Sequence, residues 1–64
     1  MKVRTLMTAM MYSFDEVELY TDNMDLMSRM SPETLRDVYG DCKVKRFWIY
    51  IDEDGLTILE LILR

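Results

Sequence analysis

The sequence predicts an α+β fold: a small antiparallel sheet of about four strands, arranged as two hairpins, with short helices on one face, in an obligate homo-oligomer. Three stretches carry that expectation. Lys43 to Arg64 reads as a β-hairpin, Ser31 to Gly40 as a short capped helix, and Val3 to Met11 as an amphipathic helix. All belong to a single domain spanning residues 1–64.

In chain order, Val3, Leu6, Met7, Met10 and Met11 recur at the i, i+3, i+4, i+7, i+8 spacing of one helical face. An extended start, with Val3 to Thr8 as a strand, is the alternative. The methionines read as adaptable core side chains, because thioethers without Cys or His seldom make a metal site. Ser13, Phe14 and Asp15 break the period. Val17, Leu19 and Thr21 then alternate with Glu16, Glu18, Tyr20 and Asp22, the period of a half-buried strand. A turn-rich Asp22-Asn23-Met24-Asp25 separates this strand, near 16–21, from a second arm near 26–30. Ser31-Pro32-Glu33-Thr34 starts a helix: serine as N-cap, proline in the first turn, and an acid where the macrodipole favours one. Leu35, Val38 and Tyr39 form its buried stripe, and Gly40 is placed to end it in a left-handed conformation.

In the last hairpin the turn is Asp52-Glu53-Asp54-Gly55, with Gly55 accepting positive φ. Alternation puts Val44, Trp48 and Tyr50 on one face, with Arg46, and Phe47, Ile49 and Ile51 on the other. On the second arm Leu56, Ile58 and Ile62 share a face opposite Leu59, Leu61 and Leu63. Both faces are apolar, so the hairpin needs a cover on each. Two short helices cover about one face of such a sheet. The other calls for a second copy, and an apolar last strand left on an edge invites aggregation. A homo-oligomer, dimer or tetramer, is therefore expected through Trp48, Tyr50, Ile58, Leu61, Ile62 and Leu63.

The composition excludes several classes. Half the residues are apolar, which argues against intrinsic disorder. A lone Cys42 rules out an internal disulfide and a cysteine zinc cluster; it fits a reducing compartment and a small residue at the start of a strand. No apolar run approaches the length of a membrane span, and the first residues lack a signal-peptide core, so a cytoplasmic protein without membrane contact is expected. The net charge of −4 does not suit a generic nucleic-acid binder. A local basic patch is still present, at Arg4, Lys43, Lys45 and Arg46.

Without histidine there is no nucleophile–imidazole pair, and no phosphate-binding glycine loop or metalloprotease motif occurs. Carboxylates, tyrosines and the basic cluster remain. Asp15 and Glu16, with Glu18 nearby, and Asp22 with Asp25 are candidate ligands for a hard cation. Magnesium often takes only one or two carboxylates and completes its shell with water and substrate phosphates, and it can stabilise the leaving oxygen of a phosphodiester. The plainer reading is a solvated acidic rim. Asp52, Glu53 and Asp54 make a turn, lacking the downstream glutamate of a calcium loop. Lys43, Lys45 and Arg46, followed by Phe47, Trp48 and Tyr50, are the most nucleic-acid-like feature: cations along a phosphate backbone, aromatic faces under bases. The same aromatics suit a protein interface equally well. A tyrosine nucleophile is conceivable at Tyr12, Tyr20, Tyr39 or Tyr50, but nothing selects one.

KVRTLMTAM, a break, FDEVELY, a turn, a capped helix and VKRFWIYIDEDGLTILEL together resemble small proteins carried by phages and mobile elements of gut Firmicutes. The likeness covers most of the chain. One branch to which it is similar is a type II-A anti-CRISPR family that protects plasmids from an RNA-guided nuclease by nicking supercoiled DNA. The resemblance implies a fold like the single-strand-binding transcriptional coactivators (Whirly-like), dimers and tetramers, and a setting in the bacterial host cell. It implies Asp15 as the residue needed for nicking and a C-terminal strand that supports the oligomer. On that reading Lys43, Lys45 and Arg46 hold the phosphates of double-stranded DNA, and Asp15 and Glu16 hold Mg2+. The coactivators are more basic on their DNA face than this chain. The rival readings are a non-enzymatic acidic protein that imitates nucleic acid, and a structural phage protein.

Overall fold

The protein is described by a computed structural model covering Met1 to Arg64. Its elements are α1 (Val3–Met10) with a single 3-10 turn after it (Met11–Ser13), β1 (Glu16–Tyr20), β2 (Leu26–Met30), α2 (Pro32–Tyr39), β3 (Val44–Ile51) and β4 (Thr57–Leu63). The helical alternative for the first residues is therefore the one adopted. Val3, Leu6 and Met7 turn the buried stripe of α1 inward. The Ser31 side chain caps α2 by accepting from the Thr34 N–H at 3.1 Å, and Pro32 occupies the first turn, where its missing N–H costs nothing.

Gly40 follows α2 as expected, but not in the expected conformation. Its φ of −54° is right-handed, so no left-handed cap is involved. A Cβ there would stand 2.5 Å from the Arg36 carbonyl oxygen, too close for any side chain. At the β3–β4 turn the expectation holds. Gly55 has φ +82°, its N–H reaches the Asp52 carbonyl at 3.0 Å, and Asp52 Oδ1 accepts from the N–H groups of Asp54 and Leu56 at 2.9 Å each.

The fold is α+β, with four strands in the order β2-β1-β4-β3. The two hairpins are present, but the sheet is mixed rather than antiparallel: β1 and β4 run parallel, with Val17 beside Leu59 and Leu19 beside Leu61. The cause is α2. It carries the chain from the β2 edge across to the far edge, and the returning β4 then lies beside β1. The last strand is thereby central instead of exposed. This removes the edge hazard that the sequence suggested, and leaves β2 and β3 as the edges.

One face of the sheet packs on the helices. Val17, Leu19, Leu59 and Leu61 meet Val3, Leu6, Met7, Met11, Phe14 and Leu35 in one core. A bulge at Lys45, between Val44 and Arg46, shifts the alternation of β3. Val44 therefore packs toward this core, not with Trp48 and Tyr50 as simple alternation expects.

Candidate functional site

The face away from the helices is built by the parallel pairing of β1 and β4. That register sets Glu18 directly beside Glu60. Flanking strands add Arg29 opposite Glu18 and Trp48 opposite Glu60. The result is one hydrogen-bonded cluster. The Tyr20 hydroxyl lies 2.7 Å from Glu60 Oε2 and 3.0 Å from Glu18 Oε1. Arg29 Nε donates to Glu18 Oε2 at 2.9 Å, and Trp48 Nε1 donates to Glu60 Oε1 at 2.6 Å. The Tyr20 and Trp48 rings sit 6.1 Å apart between centroids.

Glu18 is only 5% exposed, and a buried carboxylate needs partners for its oxygens. The hydrogen bonding of the adjacent Glu60 carboxyl holds Glu18 below its ordinary range. The Tyr20 hydroxyl and the Arg29 guanidinium pull the same way, against burial, which pushes it up. Tyr20 is held protonated well above the usual phenol range, first by Glu60, then by burial and Glu18.

Ile58 and Ile62 flank this cluster on β4, and both are buried without any second chain. By register Ile58 lies between Glu16 and Tyr50, and Ile62 between Tyr20 and Arg46, so long neighbours close over them. A second copy is thus not needed to cover this face, contrary to expectation. Among the residues expected at an oligomer interface, Ile58 and Ile62 are sealed here, Leu61 is wholly buried under the helices, and Leu63 is half-buried against the core. Trp48 and Tyr50 remain accessible in part.

The exposed apolar surface is elsewhere, along β3. The helices do not extend under this strand, and Phe47, Ile49 and Ile51 are 37%, 44% and 68% exposed on the helix side, with Tyr50 40% exposed on the other. The outer backbone of β3 is unpaired over the same residues. In an antiparallel pair alternate residues turn both polar groups to the partner. Asp52 N–H bonds the Leu56 carbonyl, so Tyr50 and Trp48 face β4 likewise, while Phe47, Ile49 and Ile51 direct N–H and C=O outward. The start of the strand is covered, since Val44 N–H bonds the Met1 carbonyl at 2.7 Å and Lys2 bridges Lys43.

Asp15 and Thr57 grip one another where β1 and β4 begin. Asp15 N–H donates to the Thr57 carbonyl at 2.8 Å, and the Thr57 N–H donates to Asp15 Oδ2 at 2.8 Å. One oxygen of the expected catalytic acid is therefore committed to the backbone. Glu16 is half-buried at the start of β1, on the same face as Glu18. Nowhere do three or more acidic or cysteine side chains gather to hold a metal ion. Asp15 and Glu16 offer the one or two carboxylates that magnesium uses beside phosphates and water.

In the basic cluster, Lys45 Nζ is paired with Asp22 at 2.6 Å, whereas Lys43 and Arg46 are exposed and enter no ion pair within the chain. An open cleft of about 390 Å³ lies at the other end of β1, lined by Leu19, Met27, Tyr39, Cys42 and Leu63 with Asp22 and Arg64 at its polar side.

Residue-by-residue reading missed Glu60, the one acid in the apolar run from Ile58 to Leu63. That position was a usable signal, because an acid flanked on both sides by buried strand residues has to find donors. Arg29 carried no such signal.

The class these features define is a small α+β protein with a mixed four-stranded sheet and an open edge strand. Compared with protein-family models, curated proteins and solved structures, the chain has no match. No helix is long and apolar enough to cross a membrane.

Proposed function

We propose that this chain is a binding protein of the phage counter-defence type that works as a homo-oligomer, with β3 as the surface through which copies meet. One observation carries the self-association, while the counter-defence role rests on the sequence resemblance. β3 is an edge strand eight residues long, apolar on both sides, whose outward backbone groups over Phe47 to Ile51 have no partner. Long apolar edges left open are aggregation sites, and proteins that keep them cover them. Aromatic side chains at such an edge match the composition of interface centres. Sedimentation equilibrium over a wide concentration range tests the proposal. A defined oligomer supports it, and a chain that stays monomeric at tens of micromolar overturns it.

A second reading, engagement of supercoiled DNA with metal-assisted nicking, is favoured by the placement of Lys45 and Arg46 on the strand that carries Trp48 and Tyr50, with Lys43 just before it. In that case Asp15 and Glu16 would hold Mg2+ together with the scissile phosphate. A plasmid relaxation assay with Mg2+ or EDTA, beside Asp15→Ala, decides it. Open circles that need metal and vanish in the variant support nicking; supercoils that persist at every protein concentration end it.

A further inference from the structure

The geometry points to one specific partner for β3, a second copy of the same strand, paired antiparallel about a two-fold axis at Ile49. This rests on the assembly proposed above and fixes its contacts. Three independent constraints select the register.

The first is backbone polarity. An antiparallel hydrogen-bonded pair requires outward-facing residues on both strands, and on β3 those are Phe47, Ile49 and Ile51. A two-fold axis can then pass at Trp48, Ile49 or Tyr50. The second constraint is access. An axis at Trp48 would lay Asp52 of the second copy against Val44, whose N–H is already bonded to Met1. The third is side-chain chemistry. An axis at Tyr50 sets Trp48 against Asp52 of the second copy.

With the axis at Ile49, every cross-strand pair is complementary. Phe47 meets Ile51 of the second copy, and Ile49 meets its own counterpart, on the helix side. On the other side Trp48 meets Tyr50. Beyond them Arg46, which has no ion pair within its own chain, meets Asp52, whose Oδ2 is left over by the turn bonds to Oδ1. Lys45 meets Glu53. The basic start of the strand and the acidic turn after it are thus the two halves of one self-complementary surface, each used twice by symmetry. The pairing would join two sheets into one continuous sheet with β2 as both outer edges, and would cover Phe47, Ile49 and Ile51.

The test uses cross-linking and charge reversal in a Cys42→Ser background. Ile49→Cys should form a disulfide-linked dimer under mild oxidation, because paired residues on the axis have Cα atoms about 5.5 Å apart, within disulfide range. Ile51→Cys, more exposed still, should not link to itself. Arg46→Glu should raise the dimer dissociation constant about tenfold or more, since the change turns two attractive cross-strand pairs repulsive. A wild-type monomer would remove both the assembly reading and this pairing. A wild-type dimer in which Ile49→Cys fails to link, or in which Arg46→Glu leaves the constant within about twofold, would overturn this pairing and leave assembly by another surface standing.

Discussion

Removal of a single oxygen, by Tyr20→Phe, tests whether the Glu18–Tyr20–Glu60 cluster holds β1 to β4. Phenylalanine keeps the ring beside Trp48 and deletes only the hydroxyl, which lies 2.7 Å from Glu60 and 3.0 Å from Glu18. A hydroxyl has one proton, so the two carboxylates share a single donor, with the nearer Glu60 taking the larger part. A hydrogen bond to a charged group is worth about 1.5–3 kcal/mol, and an unsatisfied buried acceptor costs a similar amount. Both carboxylates retain a second donor, Arg29 for Glu18 and Trp48 for Glu60, which keeps the loss near the middle of that range. The expected destabilisation is about 2 kcal/mol, or a Tm lower by about 10 °C for a domain of this size. Urea unfolding followed by fluorescence of the sole tryptophan measures it at a fixed protein concentration, because any oligomer makes stability concentration-dependent. A loss below about 0.5 kcal/mol, the ordinary scatter of surface substitutions, would refute the assignment of the cluster as a structural clasp.

The same cluster sets a pH dependence. Glu18 is held below its ordinary value of 4.5, so its contribution is present above that value and fades as pH falls through the lower folded one. Tyr20 is held above its ordinary value of 10.0, so its contribution is intact below pH 10 and is lost as pH rises further; Tyr20→Phe should flatten that alkaline decline in urea titrations at high pH. Leu35→Ala, at a wholly buried position, should cost about 2–5 kcal/mol in the same measurement by opening a cavity between helices and sheet. Asp15→Ala frees the Thr57 N–H and should lower stability by about 1 kcal/mol, seen as an earlier urea midpoint whatever its effect on plasmids. Gly40→Ala should destabilise more than Gly55→Ala when thermal midpoints are compared. At Gly40 the added methyl meets a backbone oxygen at 2.5 Å, whereas at Gly55 it enters open space and only the φ of +82° opposes it.

What the sequence made legible divides along the range of the interactions. The cap of α2, the buried stripe of α1 and the Asp52–Gly55 turn are written in residues a few positions apart, and all three are present. The pairing of β1 with β4 joins residues about forty positions apart, and no local pattern states whether two strands run parallel. That one long-range choice decided the candidate site. It placed Glu18 beside Glu60 instead of in solvent, so the polar alternation of β1, which reads as a wetted face, in fact supplies a nearly buried acid. It also moved the apolar last strand from the edge to the centre, which leaves β3 as the apolar edge. There the alternation of Trp48 and Tyr50 was legible, and the bulge at Lys45 was not, because an inserted residue leaves no mark on a run of large side chains. The consequence reaches the basic cluster. The bulge breaks the alternation just before Arg46, which stays with Trp48 and Tyr50 while Val44 turns to the core. Arg46 is thus an exposed cation in line with the aromatics of an open edge, where it can meet an acid of another chain or a phosphate. Arg46→Glu separates the two. Loss of self-association in the absence of nucleic acid assigns it to the edge, and loss of DNA retention by an intact oligomer assigns it to phosphate.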